Sequence, residues 1–126
     1  MDKKILIVDD EKDAVSILEM GLKREGYVVI SAYGGIEAKN KIIAEKPDVV
    51  VLDLMMPDID GWDVLKWMRE EEKLTTPAII VSARDEMSDI KKGYSLKADT
   101  YLTKPISVHD LLRGIRAVCS LKPLTD

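Results

Sequence analysis

The chain of 126 residues is one domain's worth of polypeptide, long enough to bury roughly two-thirds of its unfolded surface. Its 46% hydrophobic and 33% charged content is that of an ordinary soluble globular protein, which excludes disordered and collagen-like classes. A formal net charge of −4 argues against a broad basic face for nucleic acid, and a single cysteine rules out an internal disulfide. No apolar run approaches the ~18 residues of a bilayer span, and "MDKKILIVDD" has too short an apolar stretch for a secretory signal, so the cytosol is the expected compartment, with no membrane partner.

The first element is the strand "KILIV" (4–8), which runs into Asp9-Asp10. Val15, Leu18 and Leu22 then recur as one helical stripe that stops at Gly26. The second strand, "YVVISA" (27–32), leads into "YGG", which reads as an ordinary turn. After room for a second helix comes "DVVVLD" (48–53), whose valines and leucine end abruptly on Asp53. A third helix follows "PDIDG", with Val64, Leu65 and Met68 on its apolar side and Asp60 as cap above Asp63. Trp62 and Trp67 flank that apolar arc on opposite edges and read as boundary packing.

The fourth strand is "AIIVSA" (78–83), and the fifth is "TYLTKP" (100–105). In the last helix, 107–119, Leu111, Leu112, Ile115, Val118 and Cys119 form one apolar stripe, and Ser107 with Asp110 resembles a capping box. His109, in its first turn, has no Cys or His partner and reads as exposed; Cys119 reads as core. Residues 121–126 have lost periodicity and read as a frayed tail or the start of a linker, leaving 1–120 as the domain.

Continuous apolar strands separated by single helices suit a parallel sheet covered on both faces. The expected architecture is a doubly wound α/β fold with five strands in the order 2-1-3-4-5, where ligands gather beyond the carboxyl ends of the strands. Four strands end there in Asp9-Asp10, Asp53, Ser82 and Lys104. The strand order would put three carboxylates in one small cleft. Such charges repel unless a cation holds them, and Mg²⁺, which takes few protein carboxylates and leaves room for a phosphoryl oxygen, is the natural one. Lys104 adds a second positive charge, and Ser82 a hydroxyl for a phosphoryl oxygen. Asp53 is the nucleophile such a cleft would use, as a carboxylate able to form an acyl phosphate.

Taken singly, each residue has a plainer reading: Asp10 as cap of the first helix, Ser82 as a turn residue, Lys104 as a solvated charge. Their convergence on complementary chemistry favours the functional one. An aspartate-nucleophile phosphatase of the haloacid dehalogenase type is the alternative. It would need a second Asp two residues after the nucleophile, where this chain has Met55.

In order and spacing, "ILIVDDE", "VVLDLMMPDIDGWDVL", "IIVSA" and "DTYLTKPIS" resemble the receiver (CheY-like, flavodoxin-type) domain of two-component response regulators over essentially the whole chain. The resemblance implies a phosphorylation-dependent switch rather than an enzyme with an external substrate. Asp53 would accept phosphate from a sensor histidine kinase or phosphotransfer protein. Asp10 would bind Mg²⁺ directly, Asp9 partly through water, and the Met55 carbonyl would complete the protein ligands. Ser82 and Lys104 would grip the phosphoryl group, Tyr101 would be the switch aromatic, and Lys104–Pro105 would be cis. A downstream effector protein or domain would read the face of the fourth helix, fifth strand and fifth helix, with the chain a monomer or a phosphorylation-dependent homodimer. Met55, whose thioether orients water poorly, and Arg84, placed over the same approach, imply slow self-dephosphorylation.

Three positions depart from the family pattern: Ser82 for the commoner threonine, Lys97 where many relatives have glycine, and Thr100 where the winged-helix transcription-factor subfamily has Asp. The last argues against carrying over that subfamily's symmetric dimer.

Overall fold

The computed structural model describes residues 3–84 and 86–120; the expected tail 121–126 lies outside them. Strand β1 is Lys4–Val8, β2 Val28–Ala32, β3 Val49–Leu52, β4 Ala78–Ser82 and β5 Thr100–Thr103. The helices are α1 Lys12–Arg24, α2 Gly35–Glu45, α3 Gly61–Lys66, α4 Met87–Ser95 and α5 Val108–Ser120. All strand pairings are parallel, in the order β2-β1-β3-β4-β5. β1 matches its expected run, and the other four strands are a residue or two shorter than theirs, so Asp53 and Lys104 stand just past their ladders.

Side chains alternate across the sheet and divide the core in two. Leu6, Val8, Val50, Leu52 and Ile80 face a cluster completed by Ala38 and Ile42 of α2 and Val64 and Leu65 of α3. Ile5, Ile7, Val49, Val51 and Ile79 face Val15 and Leu22 of α1 and Leu111, Leu112, Ile115 and Val118 of α5. Burial on both faces explains why the strands read as unbroken apolar runs. The helix stripes fall where expected, with Leu18 and Cys119 half-buried at their margins. Burial pushes the Cys119 thiol pKa up, and His109 is exposed.

The caps agree in part. Asp63 N–H donates to Asp60 Oδ1 at 3.0 Å, and Asp110 N–H to Ser107 Oγ at 3.0 Å. Asp10 does not cap α1: that position belongs to Glu11, without a side-chain bond, while Glu11 N–H donates to Asp9 Oδ1 at 2.9 Å. Trp62 is buried, not at an edge, with its ring centroid 6.4 Å from that of Tyr101 and its indole N–H unpartnered among the described residues.

Beyond α3 the backbone widens into a π-helical turn, Trp67–Glu71, which no 3.6-residue pattern foretells. Arg69 there donates to the carbonyls of Leu74, Thr76 and Lys97 and to Asp99 Oδ1, at 2.8–3.0 Å. These bonds tie the end of the third helical segment to the approaches of β4 and β5.

Candidate functional site

Register builds the site. Val8 lies opposite Leu52, so the next residues, Asp9 and Asp53, emerge side by side beyond the sheet. Their backbones continue the ladder: Asp53 N–H donates to Val8 O at 2.9 Å and Asp9 N–H to Ala32 O at 3.1 Å. On the other side, Ser82 pairs with Thr103, and Lys104 N–H donates to Ser82 O at 2.8 Å. Ser82 thus lies within its buried strand, while Asp9, Asp53 and Lys104, each one residue past a strand, are held by backbone bonds that continue the ladders.

The side chains close on one another. Lys104 Nζ lies 3.1 Å from Asp9 Oδ2 and 3.1 Å from Asp53 Oδ2, with Glu11 Oε1 farther off at 3.8 Å. Asp9, Asp10 and Asp53 each place a carboxylate oxygen within 4.8 Å of the others. Asp9 and Asp53 are buried, and Asp10 is exposed at the mouth. Asp53 Oδ1 also accepts the Met55 N–H at 3.2 Å.

Electrostatically the cluster is short of positive charge. Burial raises the Asp53 pKa above the ordinary carboxyl value; the Lys104 hydrogen bond opposes this and the Asp9 charge adds to it. Burial works against the Lys104 charge, but its bonds to Asp9 and Asp53 outweigh that and raise its pKa. The two shifts differ in origin, burial for Asp53 and carboxylate partners for Lys104, but both mark a half-enclosed site that favours added positive charge. Hard oxygen donors this close, with one at the solvent mouth, fit a small divalent cation that keeps part of its water shell.

Ser82 is fully buried, and its Oγ accepts the Arg84 N–H at 3.1 Å. Tyr101 is turned inward, its hydroxyl donating to Arg84 O at 2.8 Å. The side chain of Arg84 reaches Asp89 of α4 at 3.8 Å, and that of Met55 is exposed beside Asp53. Lys104–Pro105 is cis, and Pro105 and Ile106 border a cleft of about 510 Å³ that runs from Asp9, Asp53 and Lys104 toward Ala14 and Ile17 of α1.

Sequence reasoning missed Asp58. Its carboxylate accepts N–H bonds from Gly35 at 2.9 Å and Ile36 at 3.0 Å, capping α2 from the loop that follows Asp53. The glycine pair 34–35, taken for an ordinary turn, was the available signal.

Comparison with known proteins follows the same lines. The model of the response regulator receiver domain matches residues 5–116. The alkaline phosphatase synthesis transcriptional regulatory protein PhoP of Bacillus subtilis (strain 168) is 45% identical over 118 residues, which cover 94% of this chain and 49% of that protein. The chain therefore spans about half the length of that curated relative. The receiver domain of Francisella response regulator 1452 superposes with a TM-score of 0.89 at 33% identity, covering 94% of this chain and 98% of that one. A two-component response regulator from Clostridium difficile does so with a TM-score of 0.89 at 30% identity, covering 95% and 98%.

Proposed function

The chain belongs to the response regulator receiver domain family, and from that premise we propose that Asp53 is the residue on which its phosphorylation-dependent signalling switch is thrown. The observation that carries this reading is the placement of Lys104 Nζ, 3.1 Å from both Asp9 and Asp53, within a three-carboxylate cluster. The haloacid dehalogenase alternative draws no support from these relatives, and Met55 stands where its second aspartate is needed.

In the proposed reaction an Asp53 carboxylate oxygen attacks the phosphorus of a phosphohistidine on a sensor kinase or phosphotransfer protein. The O–P bond forms as the P–N bond breaks, and the imidazole leaves with the bonding pair. Asp10, Asp53 and the Met55 carbonyl, with Asp9 assisting, are the groups to hold Mg²⁺, which when bound neutralises phosphoryl charge and offers a phosphoryl oxygen a ligand position. Lys104 turns from its carboxylate partners to a phosphoryl oxygen. Ser82, whose oxygen already accepts a backbone N–H, donates its hydroxyl hydrogen bond to another phosphoryl oxygen.

Read this way, residues 1–120 act as a cytoplasmic switch that catalyses only its own phosphorylation and dephosphorylation. Ser82 and Tyr101 meet at one short segment, the first through Arg84 N–H and the second through Arg84 O. A phosphoryl–Ser82 contact therefore bears on the ring packing of Tyr101, and through it on the face of α4, β5 and α5 offered to an effector or a second copy.

Intact-mass measurement after incubation with acetyl phosphate tests the assignment. The expected result is one phosphate adduct with Mg²⁺, none in EDTA, and none in Asp53→Asn. An adduct persisting in Asp53→Asn refutes it.

A further inference from the structure

The N-cap position of helix α2 is Gly34, which offers no side chain to cap the first N–H groups. Asp58 supplies that cap from another part of the chain, with one oxygen on Gly35 N–H and the other on Ile36 N–H. The approach is close: a Cβ on Gly34 would stand 3.1 Å from both Asp58 oxygens, and one on Gly35 would collide with the Ile59 side chain. Asp58 is the middle of the segment 53–60 that joins β3 to α3. The two ends of this segment are pinned, by Asp53 N–H on Val8 O and by Gly61 N–H on Leu54 O at 2.9 Å.

We infer that Asp58 is a positioning residue for the phosphoryl-accepting site: its two-oxygen grip on α2 holds the 53–60 segment so that the Met55 carbonyl and the Asp53 carboxylate keep their shared geometry. The inference rests on the reading of Asp53, Asp10 and Met55 given above. Asp58 touches neither phosphate nor metal; it acts through the backbone between itself and Met55. Two charge-assisted bonds from adjacent amides fix orientation as well as distance, which one contact does not. The exposed carboxyl keeps its charge under all ordinary conditions, since those amides hold its pKa down to about 2.

Calorimetric Mg²⁺ titration, with the Met55 amide shift as second readout, tests this on wild type, Asp58→Ala, Asp58→Asn and Gly34→Ala. Gly34 has extended backbone (φ −165°) that alanine adopts, and the atoms nearest its methyl would be those of the Asp58 carboxylate. Asp58→Ala is expected to weaken Mg²⁺ binding roughly ten-fold, the scale of losing a group that orients a ligand. Asp58→Asn, keeping one acceptor oxygen, should fall between it and wild type. Phosphorylation by acetyl phosphate should recover at saturating Mg²⁺, which a damaged nucleophile would not show. Wild-type affinity and an unmoved Met55 amide in Asp58→Ala, alongside a lowered melting temperature, would make Asp58 a helix cap only and overturn the inference. Should Asp58→Ala not fold, wild-type affinity in both Asp58→Asn and Gly34→Ala overturns it. If wild type itself binds no Mg²⁺, the reading of the site falls, and this inference with it.

Discussion

At the scale of single residues, two aspartates of one connecting segment have unlike surroundings. Asp53 is buried against a cation, whereas Asp58 lies exposed yet holds its proton far more weakly. Burial raises the one pKa, and the backbone amides of Ile36 and Gly35 lower the other. Because the folded-state pKa of Asp58 is depressed, its stabilising effect is complete above the unfolded value near 4 and is lost as pH falls through about 2. The stability gap between wild type and Asp58→Ala should therefore be constant from pH 5 to 8, on the flat side of that titration, and shrink below about pH 4. Chemical denaturation at stepped pH checks this, and a gap that widens in acid contradicts it. In the proposed switch, Met55 would bear on phosphate lifetime. Hydrolysis needs a water aligned behind phosphorus, and an exposed thioether beside Asp53 orients one poorly. Met55→Asn, whose amide can hydrogen-bond that water, is expected to shorten the phosphoryl half-life roughly ten-fold, the scale of one hydrogen bond; a half-life unchanged or longer in a phosphate-release assay counts against it.

At the scale of elements, periodicity was a good guide wherever burial is regular. The stripes of α1 and α5 and all five strands were legible, because a sheet covered on both faces needs unbroken apolar runs. Strand-end chemistry was legible for the same reason: a polar residue closing such a run has to be explained. What escaped was set by backbone bonds without a local pattern. The π-helical turn at Trp67–Glu71 carries Arg69, whose bonds reach Lys97 and Asp99 far along the chain, and the cap of α2 comes from Asp58. Lys97 shows the opposite case. Its φ of 68° puts a side-chain-bearing residue in the left-handed region just after α4, which accounts for the glycine many relatives have there. Lys97→Gly should raise stability by about 0.5–1 kcal/mol, the relief of that conformation partly offset by greater unfolded-state freedom. Urea denaturation reads this directly, and a loss of stability would mean the lysine side chain contributes contacts that outweigh the strain.

At the scale of the molecule, the sheet fixes one end of every functional side chain while the segments beyond it are free to respond. Tyr101 packs beside Trp62, with Gly93 of α4 lying close enough that a Cβ there would stand 3.1 Å from the tyrosine ring. The ring's position and that of α4 are therefore linked. A phosphoryl group that engages Ser82 draws on the Arg84 segment to which the Tyr101 hydroxyl is bonded. In the proposed switch, two packings of Tyr101 would differ by one hydrogen bond and the burial of one ring, on the order of a few kcal/mol, enough to shift a population without remaking the fold. Amide chemical shifts recorded with and without beryllofluoride, a stable phosphoryl mimic, test this most directly. The account predicts large changes around Asp53 and across residues 83–106, with α1 and α2 little altered. Large distant changes on α1 and α2, with 83–106 unmoved, would contradict it and leave Tyr101 as packing alone.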